Sequence, residues 1–418
     1  MRKIGIKTIL FLKTVSLRTL FFLVLIILIT SCVKQVVPAK DNIEKDQTVQ
    51  DKILEEEQKE LFEDKEEKKD FSVGAIKFDY PPTELGKLLF IYPMGLMSGS
   101  HVTPVDHQYY VEAYPTELEG SLEVYSPAEG VITSIQHMNS YPGDTTSEII
   151  NDYRLVIEHT STITTIYIHI DKLSGKIANY APPLGEFANV NIHVEAGEVI
   201  GMYGGSLDFN VVDKSVILTG FVVPESYEAE AWKIHVKDPF DYFNEPIKSL
   251  LVEKCLRTED PIGGKIDYDI DGKLVGNWFR ENTNKYRGLK DESGAYYKGH
   301  LTIAYDYIDP GQIIISFGLY EGEPKQFGIK GNYPDPSDIG VGTPIKYELV
   351  YYNYFNGDVC WDRKSLIKGL VVKNSEEQII GTVLFELIED RKLKVEIFDG
   401  KIVGEVDGFS ENFLIYER

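Results

Sequence analysis

The stretch HVTPVDH at residues 101–107 places His101, Asp106 and His107 close together in the sequence. Imidazole nitrogens and carboxylate oxygens are, besides thiolates, the groups that bind zinc in proteins. A catalytic zinc site uses three protein ligands and leaves a fourth position for water, so further ligands must come from elsewhere in the chain. Without them, the stretch is a polar turn around Pro104 in which Asp106 or His107 caps backbone groups.

Three later stretches have a pattern that bears on this choice. Residues 126–136, SPAEGVITSIQ, predict two strands joined by a Pro-Ala-x-Gly turn. Residues 153–173, YRLVIEHTSTITTIYIHIDKL, predict a β-hairpin that ends in Tyr-x-His, and residues 194–205, VEAGEVIGMYGG, predict a turn followed by a glycine-rich strand. In this order and spacing the three stretches resemble the lysostaphin-type zinc metallopeptidases, which cut peptidoglycan cross-links.

The resemblance implies roles for individual residues. His101 and Asp106 match the family's early His-x-x-x-Asp motif with one additional residue between them, and His169 matches the histidine of Tyr-x-His. At the family's late His-x-His motif this chain has Ser206 and Asp208. The resemblance therefore implies His101, Asp106 and Asp208 as candidate zinc ligands and His169 as the candidate catalytic residue.

The departures from the family motifs favour loss of catalysis. Two carboxylates and one imidazole would hold zinc weakly, and Ser206 cannot accept a proton from zinc-bound water near neutral pH. General acid–base assistance, worth about 10²–10⁴-fold, would depend on His169 alone. We therefore expect a degenerate site without a bound cofactor. The alternatives are an active zinc endopeptidase that uses the variant ligands, or another ligand or metal role in the same cleft.

The N-terminus has the features of an export signal. Five basic residues precede the apolar run LFFLVLIILI at residues 20–29, which is too short for a permanent membrane span. ITSC, which ends at Cys32, resembles a bacterial lipobox and implies diacylation of Cys32; the alternative is an ordinary signal peptide. We predict a lipoprotein signal peptide over 1–31 and an exported, membrane-anchored protein of the cell envelope or surface.

Composition sets the remaining limits on organisation and partners. Residues 32–72 are rich in Lys and Glu and predict a charged flexible linker. Loss of residues 1–31 removes five positive charges and no acid, taking the net charge from −23 to −28. Such a protein repels nucleic acid, so we expect no nucleic-acid partner. The nucleotide-binding and serine-hydrolase motifs are also missing from the sequence.

The remaining chain predicts a mainly β protein with two domains. Over 73–250 we expect a metallopeptidase-like antiparallel β domain, and over 251–418 an antiparallel β-barrel-like domain. Gly276-x-Trp278 resembles the signature of lipocalin-like barrels, which implies a cation–π contact between Trp278 and a late arginine, here Arg418. The alternative is an unspecified antiparallel barrel or sandwich.

These observations lead to one functional hypothesis and two alternatives. We expect an envelope lipoprotein whose peptidase-like domain binds cell-wall peptide or glycan, or an envelope protein, without hydrolysing it. The first alternative is the active zinc endopeptidase. The second is a carrier of a small apolar ligand in the C-terminal barrel, whose interior would otherwise be filled by side chains.

Overall fold

The computed structural model describes residues 76–113, 122–138, 151–290 and 296–418. They form a mainly β structure with antiparallel sheets and a closed eight-stranded barrel, which confirms the predicted fold class. The predicted signal peptide, Cys32 and the linker over 32–72 lie outside the described residues. Within the described ranges, no helix is long and apolar enough to cross a membrane.

The N-terminal half is built on one large sheet, called here the first sheet. Its strand order is β1-β2-β10-β6-β5-β4-β8, with β11 beside β10, while β3, β9 and β7 form a small separate sheet. The strands are β1 Leu88–Tyr92, β2 Gln108–Glu112, β3 Leu122–Tyr125, β4 Gly130–His137, β5 Tyr153–Glu158, β6 Ile163–Ile170, β7 Lys172–Leu173, β8 Phe187–Val194, β9 Val199–Tyr203, β10 Ser206–Asp213 and β11 Val236–Lys237.

Apolar and polar side chains alternate along β10, so the two faces of the first sheet differ in character. On β10, Leu207, Phe209 and Val211 are buried in the apolar core beneath the sheet. Successive side chains of a strand point to opposite faces, so Asp208 and Asn210 lie on the other face. That second face is the one that carries the ionisable residues described below.

The C-terminal half is a barrel in which consecutive strands pair around the circle. Its strands are β12 Gly276–Arg280, β13 His300–Tyr305, β14 Ile313–Tyr320, β15 Glu323–Ile329, β16 Ile345–Asn356, β17 Val359–Cys360, β18 Val371–Glu389, β19 Lys392–Asp399 and β20 Leu414–Glu417. Pairing of β12 with β20 and of β15 with β16 closes the ring, and β17 extends β16 outside it. The barrel follows an antiparallel meander, as in up-and-down barrels.

Trp278 and Arg418 form the contact that the sequence predicted. The guanidinium carbon of Arg418 lies 3.9 Å from the centre of the Trp278 ring. Both side chains are buried, and Arg418 also donates hydrogen bonds to the backbone oxygens of Asn277 and Ile270. The predicted cation–π contact is confirmed.

Helical segments are short. The α-helix α1 covers Ile247–Lys254, and the 3₁₀ segments are Ile177–Tyr180, Pro224–His235, Pro239–Asp241, Lys285–Arg287, Tyr296–Gly299, Lys330–Asn332 and Val403–Glu405. Pro224–His235 lies between the first sheet and the barrel, because its Tyr227 and Trp232 share one apolar cluster with Val156 of β5 and Phe279 of β12. This segment also reaches the ionisable residues of the first sheet.

Candidate functional site

The strand register brings ionisable side chains together around Asp208. Asp208 on β10 pairs with Tyr109 of β2 on one side and with Ile168 of β6 on the other. His107 precedes β2 and lies two positions before Tyr109, while His169 directly follows Ile168. The carboxylate of Asp208 is therefore flanked by two imidazole rings that come from opposite sides.

Five residues form an unbroken series of contacts in which carboxylate and imidazole alternate. His107 Nδ1 lies 3.0 Å from Asp106 Oδ1, and its Nε2 lies 3.2 Å from Asp208 Oδ2. His169 Nε2 lies 3.4 Å from the same Asp208 oxygen, and its Nδ1 lies 3.1 Å from Asp152 Oδ2. Asp106, His107, Asp208, His169 and Asp152 are called the Asp–His cluster below.

The buried end of the Asp–His cluster is closed by the segment Pro224–His235. Trp232 Nε1 donates a 2.8 Å hydrogen bond to Asp106 Oδ2, so both oxygens of Asp106 are engaged. The guanidinium of Arg154 lies over the Trp232 ring at 5.2 Å. Lys233, the next residue, is almost fully buried, and its ammonium lies 5.2 Å from the centre of the Tyr286 ring of the C-terminal half.

The electrostatics of the cluster favour charged imidazoles. Burial alone would lower the pKa of His169, but the carboxylates of Asp208 and Asp152 outweigh it and raise this pKa to about 9. Burial also acts to lower the pKa of His107, and Asp208 and Asp106 reverse that effect, so its pKa is raised. The His169 ring is therefore predominantly protonated near neutral pH, and the pKa of His107 is shifted in the same direction.

The pKa values of Asp106 and His101 are lowered, in contrast to those of His169 and His107. Burial would raise the pKa of the Asp106 carboxyl, yet the ammonium of Lys233 and the hydrogen bond from His107 hold it well below its usual value. Burial lowers the pKa of His101 to about 4, with a further contribution from His107. Asp106 is thus an anion and His101 a neutral imidazole at physiological pH.

His169 has an unusual backbone conformation. Its φ of +68° lies in the left-handed region, which is uncommon for a residue other than glycine. Such a conformation costs about 1–3 kcal/mol and persists only where the surroundings enforce it. His169 lies where the register of β5 against β6 shifts, between the pairs Tyr153–Ile170 and Leu155–Tyr167, and a β-bulge accommodates such a conformation. Strained residues of this kind concentrate at functional sites.

The structure brings together most of the predicted site residues. Asp106, Asp208 and His169 all belong to the Asp–His cluster, although His107 lies between Asp106 and Asp208. His101 lies beside the cluster, with Nε2 3.4 Å from the hydroxyl of Tyr109 and its ring centre 6.3 Å from that of His107. The roles assigned to these residues remain predictions.

The predicted ligand set does not fit a metal ion in this arrangement. Both oxygens of Asp106 are engaged by His107 and Trp232, and Asp208 Oδ2 is shared by two imidazoles. Over the part of the chain that the structure describes, no group of three or more His, Cys, Asp or Glu side chains is placed to hold a metal.

Several buried polar atoms of the cluster nevertheless have no hydrogen-bond partner among the described residues. They are His107 Nε2, Asp208 Oδ1 and Asp152 Oδ1. The 3.2 Å contact of His107 Nε2 with Asp208 is an ion-pair distance without the alignment of a hydrogen bond. Buried polar atoms are normally paired, so these three atoms have unused hydrogen-bonding capacity.

Sequence reasoning missed three residues of this site. His107 follows Asp106 directly in HVTPVDH, and the additional residue in the early motif was a signal that the match had shifted. Asp152 and Trp232 lie in no recognisable motif, and Trp232 is 126 positions away from its partner Asp106. Their roles emerge only from the three-dimensional pairing of the strands.

Comparisons with solved structures give weak similarity to zinc peptidases. A zinc-containing peptidase from Vibrio cholerae is 21% identical, with a TM-score of 0.21, over 34% of this chain and 38% of that one. The catalytic domain of a mutant of the prophage-encoded M23 protein EnpA from Enterococcus faecalis is 12% identical, with a TM-score of 0.18, over 34% of this chain and 84% of that one. This chain thus spans well under half of the Vibrio peptidase. No protein-family model and no curated protein sequence matches.

Proposed function

We propose that this protein is a lipid-anchored envelope protein whose first sheet binds cell-wall peptide without cutting it. The observation that carries the proposal is the position of Asp208, whose carboxylate lies between the imidazoles of His107 and His169. Asp208 occupies the position of the second histidine in the family's His-x-His motif, and here it forms the centre of an ion-pair cluster. The carboxylate and the two imidazoles contact one another, so these polar groups are engaged within the cluster.

The state of His169 supports binding over hydrolysis. A general base must be unprotonated and within reach of the proton it removes. Both ring nitrogens of His169 contact carboxylates, and its pKa is raised to about 9. Ser206, at the place of the other family histidine, is not a base near neutral pH. We therefore expect a peptide to bind at this end of the cluster without activation of water by His169 or Ser206.

The barrel is a weaker candidate for the binding site. Its interior contains a continuous cluster of large buried side chains, including Trp278, Phe317, Phe327 and Phe385. A small-ligand carrier needs space within the barrel, whereas the partly exposed His169 offers a polar contact on the first sheet. We therefore assign binding to the first sheet.

The proposal is tested with purified protein and isolated peptidoglycan sacculi. We expect the protein to sediment with the sacculi, to release no soluble fragments, and to contain zinc far below one ion per chain by elemental analysis. Heat-denatured protein is the control for unspecific sedimentation. Fragment release that a chelator abolishes, with stoichiometric zinc that His101→Ala removes, would establish the endopeptidase alternative instead.

The envelope location forms the second part of the proposal and is tested in cells. Diacylation of Cys32 would hold the protein at the membrane, with the charged residues 32–72 as a tether. We expect Cys32→Ser to move the protein from the membrane fraction to the soluble fraction. Unchanged membrane association of this variant would contradict the lipid anchor.

A further inference from the structure

The two ends of the Asp–His cluster are both carboxylates, and they differ in how their oxygens are engaged. At the buried end, both oxygens of Asp106 are engaged, one by His107 and the other by Trp232. At the other end, Asp152 Oδ2 contacts His169, whereas Asp152 Oδ1 has no hydrogen-bond partner among the described residues.

The unpartnered atoms show what kind of group is missing. Asp208 is 97% buried, with 3% of its surface exposed, and its Oδ1 accepts no hydrogen bond from a described residue. Asp152 Oδ1 is buried and lacks such a partner as well. A carboxylate oxygen without a proton accepts hydrogen bonds, so a hydrogen-bonding ligand must offer a donor at these two atoms. A buried acceptor without a partner is destabilising, and a bound donor would offset this cost.

The two ends of the Asp–His cluster differ in exposure. Side-chain exposure is 35% for His169 and 22% for Asp152, compared with 10% for His107 and 5% for Asp208. The opposite end is closed by Trp232 on Asp106. A ligand therefore arrives beside Asp152 and His169, where the two carboxylates flank the imidazole.

We infer that this end of the Asp–His cluster binds a primary ammonium group of the cell-wall peptide, such as the side-chain amine of a diamino acid. An ammonium supplies a single positive charge and three donors. Carboxylate and phosphate oxygens offer no donor to Asp208 Oδ1 or Asp152 Oδ1, and the engaged oxygens of Asp106 disfavour a metal ion. This inference rests on the proposed function, because it names the part of the peptide that is recognised.

Calorimetric titration with two synthetic stem peptides tests the inference. One is a tetrapeptide with a free lysine side chain, and the other is the same peptide with that amine acetylated. We expect acetylation to weaken binding by about 10- to 100-fold, as expected for loss of one charge-assisted hydrogen-bonded contact. Asp152→Asn should weaken binding of the free-amine peptide similarly and remove the difference between the two peptides.

Glu129→Gln is the matched control, because it removes the same charge from an exposed side chain outside the cluster. It should bind both peptides like the unaltered protein. Equal affinity of the unaltered protein for both peptides would overturn the ammonium inference and leave peptide binding intact. Absence of binding to either peptide would overturn the proposed function too. An Asp152→Asn protein that still prefers the free amine would place the ammonium elsewhere and contradict the assignment.

Discussion

At the polar end of the first sheet, five ionisable side chains contact one another, whereas the barrel interior is filled almost entirely with apolar and aromatic groups. Both regions are buried at their centres, and both are built from antiparallel strands. Arg418, a buried cation beside the barrel core, lies on the face of Trp278 and forms an ion pair of 4.0 Å with Asp269. In the Asp–His cluster, by contrast, five ionisable groups contact one another in a continuous series.

This difference determines how each region depends on its surroundings. Apolar burial in the barrel does not depend on pH and is lost roughly in proportion to the volume removed. A buried ion-pair cluster is stable only while its partners keep their charges, because an unpaired buried charge is costly. The barrel should thus behave as a support for the fold, and the cluster as a site whose properties respond to protons and ligands.

The largest effect should come from the barrel. Trp278 is completely buried, and its Nε1 donates a 2.9 Å hydrogen bond to the backbone oxygen of Leu274. Trp278→Ala leaves a cavity and removes the ring on which Arg418 lies. We therefore expect the free energy of unfolding to fall by about 3–5 kcal/mol. Urea unfolding monitored by circular dichroism measures it.

Tyr351 on β16 provides the control for this substitution, because 46% of its surface is exposed. Tyr351→Ala should cost less than about 1 kcal/mol, since surface substitutions have small effects. Equal losses for the two variants would show that the Trp278 region does not form the core of the barrel.

A smaller, pH-dependent effect should come from the Asp–His cluster. The pKa of His169 is about 9 in the folded protein, above the ordinary value of 6.5. Protonation of this ring therefore stabilises the folded state fully below pH 6.5, and this stabilisation disappears as the pH rises through 9. Asp208→Asn removes the main cause of this shift. We expect a loss of about 1–2 kcal/mol at pH 6, after allowing for solvent screening at the partly exposed His169.

The unfolding free energies of Asp208→Asn and of the unaltered protein should approach each other between pH 7 and pH 10. Glu129→Gln should have the same unfolding free energy as the unaltered protein at both pH values. Denaturant unfolding at several pH values measures both variants. A loss for Asp208→Asn that stays constant with pH would mean that Asp208 acts through packing and not through charge.

The two regions also differ in how far the sequence predicts them. The Trp278–Arg418 contact follows from a short motif and from a meander in which neighbouring strands pair. His169 and Asp208 were found by alignment to family motifs. His107 and Asp152 were not, because the register of β10 against β2 and β6 decides which side chains meet, and no local pattern encodes that register. Closure of the cluster by Trp232 depends on a contact across 126 positions.

The smallest effect should come from an exposed ion pair that resembles the cluster in chemistry but not in burial. Arg391 donates two hydrogen bonds to the carboxylate of Asp271, at 2.9 and 3.1 Å, and about half of each side chain is exposed. Exposed pairs contribute about 0–1 kcal/mol, because water and salt screen them. We expect Arg391→Ala to change the unfolding free energy by about 0.5 kcal/mol or less, and 1 M salt to abolish the difference. Equal losses of unfolding free energy for Arg391→Ala and Asp208→Asn at pH 6 would contradict this explanation. They would show that burial does not make the Asp–His cluster more important for stability than an exposed ion pair.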